Sequence, residues 1–541
     1  MYQSVHDAFA ATASRTPQAE FLLTESVTAR AYGIAAGPTR WSEAAAQVDR
    51  LRQAYRRAGH GHGHRVGLLL DNRPDFLFHW FALNSLGVSV VPINSEMRSA
   101  ELTYLIGHSE IALAVSLPHR MADLNEAAER AGVAFDVVDA GLTGGAPPAR
   151  VREPREDEPV GPGTECALLY TSGTTGWPKG CMLDNDYFLR AGQWYAELGG
   201  VCGYRRDAER LITPLPLNHV NAMAFSTMVV LVAGGCLVQL DRFHPGSWLD
   251  SAREGRATIA HYLGVMPAML LAAPSMPSDR DHAIRWGFGA GVDRKHHAPF
   301  EARFGFPLVE AWAMTETGAA ACVMANHEPR LVGTSCFGRR EPFVEIRLVD
   351  DAGSDVTDGT PGELLVRSSG PDPRRFFFSG YLKDEASMRE AWAGGWFHTG
   401  DMVRRDAQGN FFFVDRKKNV IRRSGENISA VEVESVLNLH PAVKAAAVAA
   451  TPDDLRGDEV LACIVLRDDA EAASPAQLAA DIVAHALAQL AYFKAPGYVA
   501  FVDKLPLTAS QKIQRGQLRD LARTLPGQRH CVDTRALKRR S

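Results

Sequence analysis

The chain has 541 residues, of which 46% are hydrophobic and 22% are charged, and its formal net charge is −5. This length exceeds one ordinary folding unit, and the composition is typical of globular proteins. The slightly acidic balance gives no reason to expect nucleic acid as a partner.

The N-terminus and the cysteines indicate the compartment. The first twenty residues, MYQSVHDAFAATASRTPQAE, lack the basic start and the apolar core of a signal peptide. The eight cysteines are scattered along the chain without a CxxC pair. We therefore expect reduced thiols and a cytoplasmic protein.

Short apolar segments alternate with helical patterns in the first part of the chain. Strands are predicted at 65–72, 88–94 and 111–117, and helices at 75–87 and 99–108. Strands that are apolar on both faces and separated by helices indicate a parallel sheet covered on both sides. The segment GHGHGHR at 59–65 lacks a rigid frame and accompanying Cys or acidic residues, so a polar turn is favoured over a metal site.

A loop rich in Ser, Thr and Gly follows a linker at 141–163, which is itself rich in Pro, Gly and charge. The loop belongs to the stretch LYTSGTTGWPKG at 169–180, which begins as the end of a buried strand. Its backbone N–H groups and hydroxyls suit a polyanion, and Lys179 adds one positive charge. It is not the GxxxxGK[ST] nucleotide loop, because no Ser or Thr follows Lys179. The alternative is an ordinary surface turn.

One apolar stretch tests whether the chain spans a membrane. Residues 211–240 contain no Lys, Arg, Asp or Glu, which approaches the roughly 20 apolar residues that a span needs. Prolines, polar residues and the pair Gly234 and Gly235 interrupt the run. We therefore predict a buried helix followed by a buried strand.

A change of pattern near Asp415 predicts a domain boundary. A strand is predicted just before it, at 410–415, and a basic run follows from Arg416 to Arg423. Beyond this run a small βαβ-like unit is predicted, with helices at 431–440 and 475–491 and strands at 443–452, 460–466 and 498–503. We therefore expect an N-terminal domain of residues 1–414 and a C-terminal domain of residues 415–541.

Five motifs in a fixed order resemble those of the adenylate-forming superfamily, which includes acyl-CoA synthetases, stand-alone adenylation domains and luciferases. They are the loop at 169–180, AWAMTETG (311–318), GGWFHTGD (394–401), DRKKNVIRRSGENISAVEVE (415–434) and LPLTASQKIQR (505–515). A weaker match is FGAGVD (288–293). The resemblance covers nearly the whole chain. It implies an α/β fold, with a large N-terminal domain of parallel and mixed sheets covered by helices and a small mobile α+β C-terminal domain.

The resemblance assigns ATP and Mg²⁺ to named residues. The phosphate loop would comprise Thr171, Ser172, Gly173, Thr174, Thr175 and Gly176. Lys179 and Thr315 would act on the phosphates, and Glu316 would hold Mg²⁺ together with Thr171, since a hard cation prefers oxygen ligands. The adenine site would comprise Gly289, Ala290, Gly291, Trp312, Ala313 and Met314, with Trp312 where the family usually has Tyr. Asp401 would accept hydrogen bonds from the ribose hydroxyls, and Arg416 would contact ribose and phosphate.

The same resemblance gives the C-terminal domain two roles. Lys512 would be the catalytic lysine, although Gln511 replaces the glycine that usually precedes it. Lys418 would be the hinge residue about which the small domain rotates between two active conformations. The loop that serves coenzyme A would contain Arg422, Arg423, Ser424 and Gly425.

These roles imply a ligase with two half-reactions. ATP and a carboxylic acid give an acyl-AMP and pyrophosphate, and a thiol then takes the acyl group and releases AMP. Residues 214–226 offer no acidic side chain for an amino-acid substrate, so coenzyme A is the favoured acceptor. An acyl-AMP ligase or adenylation enzyme that loads a carrier protein, a light-emitting relative, and a non-enzymatic sensor of nucleotide or acyl groups are the alternatives.

The acid and the assembly are less constrained. His219 lies where the family places a gate beside the acyl group, and a hydrogen-bonded core histidine is the alternative. The sequence of residues 422–434 resembles that of carnitine- or crotonobetaine-CoA ligases. An aryl acid is the alternative substrate. A homodimer is one arrangement that the sequence leaves open.

Overall fold

The computed structural model describes residues 2–97, 99–142, 145–147, 158–171, 178–423, 426–453, 457–468, 474–490, 492–507 and 512–538. The chain divides into two compact units. Unit 1 comprises Met1–Ile346, Val366–His398 and Gly409–Phe411, and unit 2 comprises Arg347–Leu365, Thr399–Gln408 and Phe412–Ser541. The division into domains 1–414 and 415–541 stays a prediction. The predicted linker at 141–163 lies partly outside the described residues.

Unit 1 contains most of the helices. They are α1 (Val5–Arg15), α2 (Ser26–Tyr32), α3 (Trp41–Arg57), α4 (Pro74–Asn84), α5 (Ser99–Ser109), α6 (Met121–Ala131), α7 (Asn185–Ala196), α8 (Met228–Ala233), α9 (Trp248–Glu254), α10 (Val265–Ala272), α11 (Arg294–Phe304) and α12 (Glu385–Ala391). Local sequence explains where several begin. The side chains of Ser4 and Asp184 accept N–H groups in the first turns of α1 and α7, and α4 begins with Pro74.

A mixed sheet forms around the first predicted strands of unit 1. In the described part of the chain its order is β18 (Gly380–Tyr381), β8 (Lys179–Asp184), β7 (Glu165–Thr171), β4 (Ser89–Pro92), β3 (Arg65–Leu69), β5 (Leu113–Ser116) and β6 (Asp136–Asp139). The strands from β7 to β6 are parallel, whereas β8 and β18 are antiparallel to their neighbours. Strands β3, β4 and β5 are buried throughout, as the sequence predicts for a covered parallel sheet.

The second sheet of unit 1 carries another part of the candidate site. Among the described residues its order is β14 (Val323–Met324), β13 (Leu308–Trp312), β12 (Trp286–Ala290), β11 (Ile259–Leu263), β9 (Arg210–Thr213), β10 (Cys236–Gln239), β1 (Glu20–Thr24) and β2 (Gly37–Arg40). The run from β13 to β1 is parallel, and the outer strands β14 and β2 are antiparallel.

The apolar stretch at 211–240 folds as a strand, a π-helix over Asn221–Thr227, helix α8 and strand β10. Helix α8 and strand β10 are buried along their whole length. The predicted buried helix and buried strand are therefore confirmed. Within the described ranges, no helix has the length and apolar character needed to cross a membrane.

Several strands contain residues of both units. The strands of this part of the sequence are β15 (Cys336–Arg339), β16 (Val344–Val349), β17 (Gly362–Ser368), β19 (Phe397–Arg405) and β20 (Asn410–Arg416). Strand β15 lies in unit 1, and each of the others has residues in both units.

The C-terminal part of unit 2 contains its own sheet. In the described residues its order is β22 (Glu426–Ser429), β21 (Val420–Arg423), β24 (Gly457–Leu466), β25 (Tyr498–Phe501) and β26 (Cys531–Asp533), and β23 (Val443–Asp453) also pairs with β24. The helices are α13 (Ala430–Leu437), α14 (Pro475–Leu487) and α15 (Arg515–Thr524). In β23, Ala446 and Val448 pack with α13 and α14, whereas Ala447 and Ala449 pack with α15. Both faces of this sheet are therefore buried, which explains the continuous apolar run at 445–450.

Close packing of α7 on α8 makes Gly192 a test of this fold. A Cβ at Gly192 would lie 2.6 Å from the carbonyl oxygen of Met228 and 2.8 Å from a methyl of Val232. Because the first of these is backbone, Gly192→Ala should destabilise the protein by about 1–3 kcal/mol. Thermal unfolding measures this change.

Gly107 in α5 provides the matched control. A Cβ there would meet only the Cβ of Ala131, at 3.5 Å. Gly107→Ala should therefore be neutral or stabilise the helix by about 0.5–1 kcal/mol. Equal melting temperatures for the two variants would contradict the packing of α7 on α8.

Candidate active site

The predicted phosphate loop connects β7 to β8. Thr171 at the end of β7 pairs with Lys179 at the start of β8, so the loop closes a hairpin. Ser172, Gly173, Thr174, Thr175 and Gly176 lie outside the described residues. The Thr171 hydroxyl lies 3.8 Å from the Cys181 sulfur across the hairpin. The two ends of the loop are thus fixed by the strand pairing.

Lys179 sits beside a tyrosine ring and two polar groups. Its Nζ donates a hydrogen bond to the Ser387 hydroxyl at 2.6 Å and lies 3.9 Å from a carboxylate oxygen of Asp384. The same atom lies 4.8 Å from the centroid of the Tyr381 ring. The ammonium is therefore held next to the loop that the sequence assigns to phosphate.

Glu316 is a buried carboxylate that contacts the same tyrosine, Tyr381. The Tyr381 hydroxyl donates to its Oε1 at 3.0 Å. Burial, and then the charge of Glu316, raises the pKa of Tyr381, so the phenol stays a donor. The same two causes, in the same order, raise the pKa of the neighbouring Cys181 thiol. The Tyr381 phenol and the Cys181 thiol therefore stay neutral beside the Glu316 carboxylate.

The motif at 311–318 forms a turn directly after β13. The backbone N–H of Met314 donates to the Thr317 hydroxyl at 3.0 Å, and the N–H of Gly318 donates to the Met314 carbonyl at 2.9 Å. The buried Tyr187 donates its hydroxyl to the carbonyl of Thr315 at 2.9 Å. These bonds fix the backbone of Thr315 and Glu316, while the side chain of Thr315 stays partly exposed.

The predicted adenine strand ends beside this turn, because β12 and β13 are parallel neighbours. Gly289 packs against Tyr262, and a Cβ there would lie 2.2 Å from the Tyr262 carbonyl oxygen. Gly291 has φ +82°, which favours glycine. Ala290 and Gly291 are exposed. This strand end therefore presents backbone at the surface, as a nucleotide base would require.

Glu310 fixes that strand end, and the sequence reasoning missed it. Its Oε2 accepts the N–H of Gly291 at 2.9 Å, and its Oε1 accepts the N–H of Val292 at 3.2 Å and the Tyr262 hydroxyl at 2.8 Å. Burial raises the pKa of Glu310, and these three hydrogen bonds oppose the rise. Glu310 directly precedes the motif at 311–318, so an acidic residue at the end of a buried strand was the available signal.

Trp312 is buried rather than open. Its ring lies 6.3 Å from that of Phe337 at an interplanar angle of 34°, and only 6% of the residue is exposed. Ala313 and Met314 are partly exposed. Stacking of adenine on Trp312 stays a prediction.

His219 is exposed at the start of the π-helix. The alternative of a core histidine at this position is therefore wrong, and a gate beside the acyl group stays a prediction. The core histidine of this region is His261. Its Nδ1 lies 2.6 Å from the Asn221 side-chain oxygen, and its Nε2 lies 2.8 Å from the Tyr195 hydroxyl. Burial lowers the pKa of His261 to about 3, so the ring is neutral.

In unit 2, Asp401 and Arg416 form an ion pair. Oδ1 of Asp401 lies 2.6 Å from Nε of Arg416, and the Asp401 side chain is only 2% exposed. The backbone N–H of Asp401 donates to the Thr399 hydroxyl at 3.0 Å, and this hydroxyl donates to the Leu364 carbonyl. The two residues assigned to the ribose are thus brought together.

Lys512 directly precedes Ile513, which pairs with Leu507. Leu507 and Ile513 form an antiparallel bridge, and the N–H of Gln514 donates to the Pro506 carbonyl at 2.8 Å. The Lys512 side chain keeps exposed area, yet neighbouring atoms partly desolvate its ammonium. This desolvation, followed by the charge of Arg416, lowers the pKa of Lys512. Unit 2 therefore places Lys512 within the field of Arg416.

Asp415 organises the predicted hinge and was not assigned a role from the sequence. Its Oδ2 accepts the Ser429 hydroxyl and the N–H of Val431, each at 3.1 Å, and its Oδ1 accepts the N–H of Arg416 at 2.7 Å. It thereby joins the end of β20 to the start of α13. Lys418 lies in the short 3-10 helix over Lys417–Asn419, and its side chain lies outside the described residues.

The predicted coenzyme A loop begins at the end of β21. Ser424 and Gly425 lie outside the described residues, as does the side chain of Arg422. Arg423 is buried, and its Nε lies 2.9 Å from both carboxylate oxygens of Glu459. The Arg423 side chain therefore pairs with a buried carboxylate of the protein. A direct contact between Arg423 and coenzyme A stays a prediction.

The donor set suits Mg²⁺ bound together with phosphate. Glu316 provides a carboxylate and Thr171 a hydroxyl, which are the oxygen ligands that this ion prefers. Across the described residues, no group of three or more His, Cys, Asp or Glu side chains could hold a metal ion. Mg²⁺ bound with ATP usually takes its remaining ligands from phosphate and water.

Comparisons with known proteins identify the family of this chain. A model of the AMP-binding enzyme family matches residues 9–382, and a model of the AMP-binding enzyme C-terminal domain matches residues 432–512. The chain belongs to the AMP-binding enzyme family. The predicted membership of the adenylate-forming superfamily is therefore confirmed.

Two curated relatives match along most of their length. A sulfoacetate–CoA ligase from Cupriavidus necator is 32% identical over 487 residues, which cover 88% of this chain and 91% of the relative. A crotonobetaine/carnitine–CoA ligase from Salmonella paratyphi B is 28% identical over 487 residues, covering 87% and 91%.

Solved structures show the same fold. ATP-bound MatB from Rhodopseudomonas palustris has a TM-score of 0.80 at 23% identity and covers 96% of this chain and 99% of its own. An o-succinylbenzoate–CoA synthetase from Bacillus subtilis, in complex with its acyl-adenylate, has a TM-score of 0.79 at 24% identity and covers 95% and 98%. The predicted α/β fold class is confirmed.

The Glu310 cluster generates a prediction. Both carboxylate oxygens accept a backbone N–H, whereas an amide has one acceptor oxygen, so Glu310→Gln leaves the N–H of Gly291 or of Val292 without its acceptor. Such a loss costs about 1–3 kcal/mol. We expect a lower melting temperature and a several-fold higher KM for ATP, measured by steady-state kinetics.

Tyr262→Phe is the matched control. It removes the phenol donor but keeps both backbone hydrogen bonds, so the KM for ATP should change by less than about twofold. If Glu310→Gln lowers the melting temperature but leaves the KM for ATP unchanged, residues 289–291 do not form the nucleotide site.

Proposed function

We propose that this chain is an ATP-dependent acid–CoA ligase. It would convert a carboxylic acid to an acyl-AMP with release of pyrophosphate, and then transfer the acyl group to coenzyme A with release of AMP. Both curated relatives described above are CoA ligases by name, which supports the class that the motifs predict.

One observation carries the proposal. Tyr381 places its hydroxyl on the Glu316 carboxylate at 3.0 Å, while the Lys179 ammonium lies 4.8 Å from its ring centroid. A cation that can pair with phosphate and an anion that can hold Mg²⁺ are thus positioned by one side chain, next to a loop between two paired strands. Nucleoside triphosphate chemistry requires this combination of charges.

In the first half-reaction, a carboxylate oxygen of the acid attacks the α-phosphorus, and the bond to the pyrophosphate leaving group breaks. We propose that Thr315 binds the α-phosphate and that Lys512 stabilises the charge that develops there. Glu316 and Thr171 would hold Mg²⁺, which supplies charge neutralisation at the phosphates when bound. Asp401 and Arg416 would position the ribose.

In the second half-reaction, the thiol of coenzyme A attacks the acyl carbon, and AMP leaves with the bonding electrons. No cysteine of the chain is needed as a nucleophile, because the adenylate is already activated. We propose that rotation about Lys418 brings residues 422–425 to the site for this step. Asp415 supports this assignment. Its carboxylate holds the N–H of Arg416 and the hydroxyl of Ser429, so the proposed hinge is confined to the short segment between these residues.

The names of the relatives and the exposed His219 support a proposal for the substrate class. The relatives are named for sulfoacetate and for crotonobetaine or carnitine, which are short acids with a second charged group. We propose a short acid of this kind, with the exposed His219 at the mouth of the acyl site. An aryl acid is the competing class.

Cysteine chemistry supports a cytoplasmic location, which we also propose. All eight cysteines are free thiols, and every one except Cys531 is buried. The homodimer stays a prediction.

Pyrophosphate release with a panel of acids tests the proposed function. The panel contains sulfoacetate, crotonobetaine, carnitine, benzoate and cinnamate, each with and without coenzyme A. We expect a short acid to give pyrophosphate, AMP and a CoA thioester. Pyrophosphate release without any thioester would favour a carrier-protein acceptor, and no release with any acid would favour a sensor.

Lys512→Ala should separate the two half-reactions. We expect adenylate formation to fall by about 10²- to 10³-fold, because a preorganised charge is lost from the transition state. Thioester formation from a supplied acyl-adenylate should persist, since Lys512 is assigned to the first step alone. Single-turnover measurements of each step provide the test.

Lys504→Ala is the control for this variant. Lys504 is an exposed lysine eight positions upstream, so its replacement should leave both half-reactions unchanged. If Lys512→Ala slows both steps equally while the fold is intact, the assignment of Lys512 to adenylation is wrong.

A further inference from the structure

Unit 2 contains a buried carboxylate that is shared by two cations. Glu459 lies on β24, and its side chain is fully buried. Arg423 reaches its two oxygens at 2.9 Å, and the Nζ of Lys538 reaches Oε1 at 2.6 Å. The side chains of Arg423 and Lys538 are only 7% and 1% exposed. Desolvating such a cluster costs free energy, and the ion pairs offset this cost only while their geometry is maintained.

The Glu459 carboxylate has no room to move. Its Oε1 accepts three donors, because the backbone N–H of Val460 also lies 2.9 Å away. Gly497 packs directly on the side chain, and a Cβ there would lie 2.5 Å from its Cγ and Cδ atoms. The carboxylate therefore acts as a fixed point between its two cations.

Arg423 connects this fixed point to the predicted coenzyme A loop. It is the last residue of β21, where it pairs with Glu426 of β22 and with Gly457 of β24. The next two positions, 424 and 425, belong to the predicted loop. Holding the Arg423 side chain therefore fixes the end of the strand from which the loop starts.

Lys538 comes from the far C-terminal segment. This segment is attached to the sheet through β26, which pairs with β25, and Thr534 donates its hydroxyl to the Pro496 carbonyl at 2.8 Å. The match to the family's C-terminal domain ends at residue 512. Lys538 thus reaches Glu459, which lies inside the matched region, from a segment outside it.

We propose that Lys538 is a positioning residue for the thioester-forming half-reaction. Its ammonium holds Glu459, and Glu459 holds Arg423 at the start of the coenzyme A loop. This inference rests on the proposed function, because it assigns residues 422–425 to the second step. Adenylate formation does not use this loop and should not depend on Lys538.

The test compares Lys538→Met with the wild-type full-length chain. Adenylate formation is measured as single-turnover pyrophosphate release with an acid that the wild type accepts. Thioester formation is measured from the preformed acyl-adenylate and coenzyme A. We expect the second step to fall by about tenfold to a hundredfold, the usual effect of a small misplacement, with adenylation within about twofold of wild type.

Two further variants separate positioning from general stability. Lys538→Arg keeps a cation and should restore most of the second step. Arg535→Met removes a charge three residues away in the same segment, where the exposed Arg535 side chain pairs with Asp533 and Asp453, and it should leave both steps unchanged.

Unchanged thioester formation in folded Lys538→Met would overturn the inference, and so would an equal loss in both steps. Should Lys538→Met fail to fold, Lys538→Gln replaces it in the same comparison. A wild-type protein that releases pyrophosphate but forms no CoA thioester would contradict the proposed function instead. The failures of the two proposals are therefore distinguishable.

Discussion

A buried carboxylate needs hydrogen-bond donors. In the candidate site, the hydroxyl of Tyr381 donates a hydrogen bond to Glu316. Tyr381 lies in β18, which pairs with β8, so the bond joins the first sheet of unit 1 to the turn after β13. Lys179 begins β8 and lies over the same phenol ring. The position of one tyrosine therefore fixes an anion, a cation and one end of the predicted phosphate loop.

The second sheet repeats this device with Glu310. Its carboxylate accepts two backbone N–H groups after β12, although the residue itself lies on β13. Both carboxylates lie at or just after the carboxyl end of β13, which is the side of a parallel sheet where ligands usually bind. Burial of a carboxylate is costly, and these hydrogen bonds offset that cost. The structure thus keeps two carboxylates at the strand ends through fixed polar partners.

The sequence predicts those features that are local. The buried strands at 65–72, 88–94 and 111–117 and the helix at 99–108 are present, because apolar periodicity acts over a few residues. The phosphate loop, Thr315, Asp401 and Lys512 could be assigned from the sequence because the family's motifs are contiguous. The partners of these residues could not be found in this way. Tyr381 is 65 positions from Glu316, and Lys538 is 79 positions from Glu459. The core alternative for His219 failed for the same reason, since the buried histidine of that region, His261, comes from a distant strand.

Transfer of labelled oxygen from the acid tests the central claim, which is the formation of an acyl-AMP by attack on the α-phosphorus. The accepted acid is prepared with ¹⁸O in both carboxylate oxygens and is turned over with ATP and coenzyme A, and the products are analysed by mass spectrometry. The account predicts one ¹⁸O in each AMP and none in pyrophosphate, because the carboxylate oxygen stays on the α-phosphate when the thiol displaces it. Label in inorganic phosphate, with ADP as the nucleotide product, would show attack on the γ-phosphate and would contradict the account.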